Sequence, residues 1–156
     1  EKGLQDCVKK GPLAGYPVVG LKATLLDGSY HPVDSSEMSF KMAASLAYKA
    51  GMPQASPVIL EPIGSLSVLV PDSCTGDMMG ELNKRRGRVM GMNAMGYGMT
   101  EIVAEVPMSE MQDFTTLVRQ MTQGSGSFTL EFARYEQLPS QLEAGVIAAS
   151  KAKDEE

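Results

Sequence analysis

The second half of this chain carries one pattern of apolar and polar residues twice. Apolar residues from Leu66 to Val70 predict a strand, which is followed by Pro71 and by helical apolar spacing from about Cys74 to Arg86. Gly87 ends this helix, and a second strand is predicted to begin at Arg88.

The same order returns with Pro107, which stands 36 residues after Pro71. A strand is predicted over 101–106, a helix over 109–122 with a capping box formed by Ser109 and Gln112, and a strand over 127–135. Two copies of strand, helix and strand in one stretch predict a ferredoxin-like βαββαβ sandwich at 58–139, within an α+β protein.

The first part of the chain predicts a helix, a strand, a loop and a second helix. Leu4, Cys7 and Val8 have helical spacing that stops at Gly11, and the apolar run 18–26 predicts a buried strand. A capping box over 34–37 predicts the start of the second helix, which Gly51 and Pro53 end.

Turn-forming residues divide the chain into three predicted regions. Proline and serine at 54–57 mark a domain boundary, so we expect domains at 1–57 and 58–139. Residues 140–156 predict a C-terminal helix whose charged end, 151–156, is frayed.

Charge and cysteine content narrow the classes of function. The net charge of the 156 residues is −5, so RNA contact would have to come from local basic clusters. Cys7 and Cys74 have neither metal-site nor disulfide-scaffold spacing, and we interpret both as small buried residues of a cytoplasmic protein. The sequence contains no apolar run long enough for a membrane helix.

Catalysis by this chain alone is not predicted. It has no glycine-rich phosphate loop, and its single histidine, His31, has no nucleophile or metal partner placed by spacing. We therefore predict no catalytic, cofactor or metal site in these residues.

Two segments are candidates for RNA contact. Lys84, Arg85, Arg86 and Arg88 form the basic cluster, which fits either a solvated helix end or a clamp for RNA phosphates. The loop 28–32 combines small residues with an aromatic face and an ionisable donor; it consists of Gly28, Ser29, Tyr30, His31 and Pro32. Such a loop is narrow enough to enter an RNA groove.

Several motifs together resemble the elongation factor G family of translational GTPases. They are Gly15-x-Pro17-Val18-Val19, the run from Asp27 to Met38 followed by Phe40-Lys41, the run from Pro57 to Ile63, Gly76-Asp77, Leu82-Asn83, Arg85-Arg86-Gly87, Thr122-Gln123-Gly124 and Ser127-Phe128. The resemblance runs from about Gly3 to Pro139, and the motifs occur in the same order and at the same spacing as in the family.

The resemblance implies the end of a ribosomal translocation factor. The first part of the chain would be a partial βαβ-type domain IV, of a ribosomal-protein-like fold, that lacks its N-terminal half. Domain IV of that family carries a tip loop matching Tyr30 and His31, which enters the decoding region and keeps tRNA and mRNA moving together. Domain V matches 58–139 and contacts RNA at the base of the ribosomal stalk. GTP with Mg²⁺ would be held by a GTPase domain elsewhere in a longer parent, of which this chain would be a fragment.

Departures from the family pattern point to a divergent paralogue with a recycling or accessory role. Uncharged residues stand where the family usually has cations, at 93–96, Met121 and Ser125. Two other classes of function stay open: a ferredoxin-like regulatory module that binds protein or a small molecule, and a small acylphosphatase-type enzyme.

We also expect a dimer through residues 1–57, where the second helix would lack strands to cover its apolar face.

Overall fold

The computed structural model describes residues 1–154. The chain divides into two compact units, which we call unit 1 (residues 1–59 and those from 138 onward) and unit 2 (Leu60–Gln137). No helix among the described residues has both the length and the apolar character that crossing a membrane requires.

Nine helices and strands make up the described residues, apart from three short 3₁₀ turns. In chain order they are α1 (Lys2–Cys7), α2 (Glu37–Gly51), β1 (Leu60–Pro71), α3 (Thr75–Lys84), β2 (Arg88–Gly96), β3 (Met99–Pro107), α4 (Phe114–Met121), β4 (Ser127–Gln137) and α5 (Ser140–Asp154). The 3₁₀ turns are Met52–Ala55, Asp72–Cys74 and Met108–Met111.

Unit 2 is an antiparallel sheet of four strands in the order β2-β3-β1-β4. Leu66 of β1 lies opposite Ala104 of β3 and Leu130 of β4, so one side of the sheet collects the apolar residues of all three strands. Both helices cover that side, and this βαββαβ arrangement confirms the predicted ferredoxin-like sandwich within an α+β chain.

The core of unit 2 follows the two periodicities read from the sequence. Alternate residues of β1 are fully buried, and α3 and α4 each add residues three or four apart. The fully buried large side chains are Leu66, Val68, Val70, Met78, Leu82, Ile102, Val106, Phe114 and Val118. Phe114 meets the ring of Phe128 edge to face at 4.9 Å, which ties α4 to β4.

Gly87 ends α3 at a point where the chain passes close to the helix and to β3. Its amide donates to the carbonyl oxygen of Leu82 at 2.7 Å. A Cβ at this position would stand 2.8 Å from that oxygen and 2.9 Å from a methyl group of Val106. A glycine is therefore required for the helix end to lie against the sheet.

Unit 1 contains α1, α2 and α5. α1 approaches α2 closely at Gly3, where a Cβ would lie 2.9 Å from the Cα atom of Lys41. The chain then returns along α1, and the amide of Val18 donates to the carbonyl of Val8 at 2.7 Å. In α5, the Ser150 hydroxyl donates to the carbonyl of Ala14 at 2.7 Å.

The strand predicted at 18–26 is wrong. These residues have no regular secondary structure, and Leu25 and Leu26 are 91% and 92% exposed. A strand needs a neighbour for its backbone groups, and no strand among the described residues pairs with this segment. The predicted βαβ-type organisation of the first part therefore lacks its strand here.

Smaller corrections concern caps and cysteines. α2 is capped by Ser36 rather than by a box starting at Asp34, and α4 begins at Phe114 after a 3₁₀ turn that contains Ser109. Cys7 and Cys74 are both half-buried rather than buried. The tail predicted to be frayed at 151–156 is helical through Asp154, and its last two residues lie outside the described range.

Candidate functional site

The predicted tip loop, residues 28–32, is exposed along its whole length. The Tyr30 side chain is 68% exposed, and the side chains of His31 and Pro32 also face solvent. The loop turns after Asp27, whose carboxylate accepts the amide of Gly28 at 2.7 Å. An aromatic residue and a histidine that are adjacent in sequence are therefore both accessible to a partner.

The base of the tip loop is fixed by paired hydrogen bonds between His31 and Ser35. The amide of His31 donates to the Ser35 hydroxyl at 2.8 Å, and the amide of Ser35 donates to the carbonyl of His31 at 2.9 Å. Ser36 follows as the N-cap of α2 and accepts the amide of Ser39 at 3.1 Å. Ser35, just before the start of α2, thus holds the backbone of His31, while the imidazole of His31 stays exposed to a ligand.

Arg85, in the predicted basic cluster, is largely buried inside unit 2. Its guanidinium donates to both carboxylate oxygens of Asp113, at 2.6 and 3.0 Å, and lies 5.7 Å from the ring centroid of Phe114. Only 13% of the side chain is exposed. The hydrogen bonds with Asp113 raise the pKa of Arg85 and lower the pKa of Asp113. Arg85 therefore fastens the end of α3 to the start of α4.

Arg86 has a similar role on the other side of the helix end. It donates to the two carboxylate oxygens of Glu61 at 2.9 and 2.8 Å, and the Glu61 side chain is only 8% exposed. Hydrogen bonding to Glu61 raises the pKa of Arg86 despite its partial burial. This pair joins the end of α3 to β1.

Arg88 belongs to a network of four charged residues on the sheet, which also contains Glu105, Arg134 and Glu136. It donates to Glu105 at 2.5 Å, and Glu105 also accepts two bonds from Arg134 at 2.8 and 2.9 Å. Hydrogen bonds from Arg134 and then Arg88 lower the pKa of Glu105 to about 2. Three strands, β2, β3 and β4, are linked by this one carboxylate.

The structure thus separates the four cations predicted as one cluster. Lys84 and Arg88 have side chains that are 74% and 68% exposed, whereas the guanidinium groups of Arg85 and Arg86 face carboxylates within unit 2. The sequence patterns did not reveal the acidic partners Glu61, Glu105 and Asp113 or the cation Arg134. Glu105 and Arg134 lie 29 residues apart and come together only through the sheet.

Two other kinds of binding site can be compared with the tip loop: a metal centre and a cleft in unit 2. No three His, Cys, Asp or Glu side chains within residues 1–154 lie close enough together to hold a metal ion. A cleft of about 440 Å³ lies beside the arginine pairs and is lined by charges of both signs, which include Glu81, Lys84, Arg85 and Asp113. The exposed tip loop is therefore the better candidate for a contact site.

This chain is similar to known proteins over its whole length. Residues 1–56 match the family model described as "Elongation factor G, domain IV", and residues 58–145 match "Elongation factor G C-terminus". A curated protein from Thermotoga maritima named "Elongation factor G-like protein" is 47% identical over all 156 residues, which are 23% of its own length.

A solved structure has a similar fold. A crystal structure of a protein from Thermus thermophilus matches 97% of this chain with a TM-score of 0.85 and 42% identity, and the match covers 23% of that chain. This chain therefore spans about a quarter of the length of both relatives. The chain belongs to the elongation factor G family, of which it carries domain IV residues and the C-terminal domain.

Proposed function

We propose that this chain is the ribosome-contacting end of a translation elongation factor that promotes movement of tRNA and mRNA. The tip loop, residues 28–32, enters the decoding region in this proposal. The observation that carries it is the exposed pair Tyr30 and His31, held at its base by the His31–Ser35 hydrogen bonds in a domain of this family.

Unit 2 contributes a second contact in this proposal, at the RNA of the stalk base. Lys84 and Arg88 have largely exposed side chains, which pair with Glu81 and Glu105. Cations at such exposed positions suit RNA phosphates, because phosphate contacts position a protein without reading sequence. Arg85 and Arg86 were predicted as contacts of the same kind. Their carboxylate partners favour a role in which they hold the helix end that presents Lys84.

GTP and Mg²⁺ belong to the remainder of the parent protein in this proposal. The chain spans 23% of its relatives, so most of a longer protein is left to hold a nucleotide. The factor would act in the cytoplasm, where its ribosomal partner is found.

Cosedimentation with ribosomes across a salt series tests the proposal. The chain should pellet with ribosomes at low salt and be released as salt rises. The double substitution Tyr30→Ala/His31→Ala should weaken association about tenfold, because exposed aromatic residues at contacts are common hot spots. Tyr16→Ala/Lys22→Ala is the matched control in the same exposed segment and should retain pelleting.

Either of two results would defeat the proposal. One is pelleting of the unchanged chain no greater than that of an unrelated acidic protein. The other is an equal loss for the tip and control variants.

A second candidate is an accessory or recycling paralogue, since one relative is named an elongation factor G-like protein. Exposed, uncharged side chains at the β2–β3 turn, such as Met95 and Tyr97, favour it because they give RNA phosphates no cation. A translocation assay with the full-length parent separates the two: stimulated tRNA movement supports the first candidate, and subunit splitting without movement supports the second.

We also propose a dimer through residues 1–57. Met38, Met42 and Leu46 of α2 are each at least 60% exposed, and a second copy could cover them. Light scattering after gel filtration tests this: Met42→Glu/Leu46→Glu should shift a dimer to a monomer. A strictly monomeric chain at high concentration would contradict it.

A further inference from the structure

A groove of about 480 Å³ lies between α1 and α2 in unit 1 and is not part of the tip loop. Its charged lining residues are Asp6, Lys10, Lys41 and Lys49, so three cations face one carboxylate in a chain whose net charge is −5. We propose that this groove binds a run of linked phosphate groups and that an RNA backbone is their source. The choice of RNA rests on the proposed function, whereas the phosphate chemistry rests on the groove itself.

α2 places its part of the lining on one helical face. Lys41, Ser45 and Lys49 follow each other at intervals of four residues, and each lines the groove. The Cα atoms of the two lysines are separated by roughly 12 Å along the helix axis, from eight residues at about 1.5 Å each. Cations spread over that distance fit several linked phosphates better than a single one.

The wall of the groove is held in place by contacts between the two helices. The Tyr48 hydroxyl, on α2, donates to the carbonyl of Lys10 at 3.5 Å. Burial, followed by the nearby Cys7 side chain, raises the pKa of Tyr48. Gly3 lets α1 approach the backbone at Lys41. Lys41 and Lys49 therefore extend from the backbone of a helix that α1 approaches closely, whereas Lys10 lies in the turn after α1.

The single carboxylate in the groove has a cation of its own. Asp6 accepts from Lys9 at 3.0 Å, and this hydrogen bond, with smaller contributions that include Lys41, lowers the pKa of Asp6. Lys41 lies 3.6 Å from Glu37, which Lys2 also contacts at 3.3 Å. Because Lys9 and Lys2 accompany these two carboxylates, acidic groups do not outnumber Lys41 and Lys49 in the groove.

Lysine ammonium groups suit a phosphate backbone because they act as mobile point charges that need no fixed geometry. Such contacts give affinity that is independent of sequence and falls with salt. The groove would therefore add a second, sequence-independent contact to a unit whose tip loop supplies the first.

The test measures binding of a fluorescein-labelled RNA duplex of about 20 base pairs by anisotropy from about 50 to 200 mM KCl. Lys41→Ala/Lys49→Ala should lower affinity about tenfold at low salt and reduce the slope of log affinity against log salt by about two. The control Lys22→Ala/Lys153→Ala removes the same charge at exposed positions that do not line the groove, and it should change affinity less than about threefold. Lys41→Arg/Lys49→Arg should restore binding, since it keeps the charge.

A second part of the experiment distinguishes an RNA backbone from free polyphosphate as the source of the bound phosphate groups. Inorganic tripolyphosphate should compete with the duplex for the unchanged chain and have no effect on the residual binding of Lys41→Ala/Lys49→Ala. Equal losses for the groove and control variants would overturn the groove. Tripolyphosphate binding that depends on the two lysines, with duplex binding that does not, would overturn RNA as the source.

Far-UV circular dichroism and thermal melting of each variant show whether it has kept its fold. Ribosome pelleting that depends on Tyr30 and His31 is measured separately. If the groove proposal alone is wrong, that dependence remains, so failure of the groove and failure of the proposed function are distinguishable.

Discussion

Unit 1 and unit 2 contain apolar residues in comparably regular patterns but differ in what those residues touch. Within the described range, twelve of the fifteen buried apolar residues lie in unit 2, and α2 of unit 1 has no buried residue at all. The apolar residues of β1 are covered by two helices, whereas Met38, Phe40, Met42 and Leu46 of α2 are exposed. An apolar pattern thus gives a core only where a second layer covers it.

The two units also differ in how they use charge. In unit 2, arginines form paired bonds with carboxylates at Asp113, Glu61 and Glu105. In unit 1 the cations are lysines, among which Lys2 and Lys9 are exposed and make single contacts with carboxylates. Unit 2 therefore uses its arginines to hold its own elements together, whereas Lys2 and Lys9 of unit 1 form exposed ion pairs that contribute little to stability.

The largest expected effect is on the free energy of unfolding, when a phenylalanine is replaced by alanine in each unit. Phe114→Ala should lower the free energy of unfolding by about 4 kcal/mol because it leaves a cavity in a fully buried position. Phe40→Ala, at an exposed position of α2, should change it by less than about 0.5 kcal/mol. Urea denaturation followed by circular dichroism gives both values. Similar losses would show that unit 1 has a core after all.

The next effect concerns the buried ion pair of unit 2. Arg86→Ala should cost about 3 kcal/mol because it leaves the nearly buried Glu61 without its partner. Glu61→Leu/Arg86→Met removes both charges and should cost clearly less in the same urea experiment. A double variant less stable than the single one would show that the pair stabilises through its charges alone.

A change of pH should weaken unit 2 through Glu105. Its pKa is about 2 in the folded chain against an ordinary value of 4.5, so its stabilising effect is complete above pH 4.5 and is lost as pH falls towards 2. Glu105→Gln should flatten the fall in stability across this range. Glu131→Gln, an exposed carboxylate on β4, is the control and should leave the fall nearly unchanged. Urea midpoints at several pH values measure this, and identical curves for all three proteins would refute it.

The smallest effect is local to unit 1. Ser36→Ala should destabilise the first turn of α2 by about 1 kcal/mol, since it removes the N-cap acceptor for the amide of Ser39. Ser29→Ala, in the tip loop, should leave α2 unchanged. Hydrogen exchange of the α2 amides measures the difference, and equal exchange in both variants would contradict the assigned cap.

The strands, helices and caps differ in how well local sequence patterns predict them. Every strand and helix of unit 2 was predicted within a few residues at one or both ends, because alternation in strands and three-to-four spacing in helices are local properties. Caps were less certain: Ser36 replaces Asp34, and Phe114 opens a helix predicted to start at Ser109. Several serines and aspartates near a helix start are equivalent in sequence, and only backbone geometry selects among them.

The amino-acid sequence by itself determined the family, the ferredoxin-like sandwich and the exposed tip with Tyr30 and His31, since each depends on local pattern or motif order. Only the tertiary structure decided that 18–26 stays unpaired, that Arg85 and Arg86 face carboxylates, and that Lys41 and Lys49 line a groove with Lys10. The physical reason is that strand pairing, ion pairing and cavities join residues far apart in the chain, and their partners have no fixed sequence spacing.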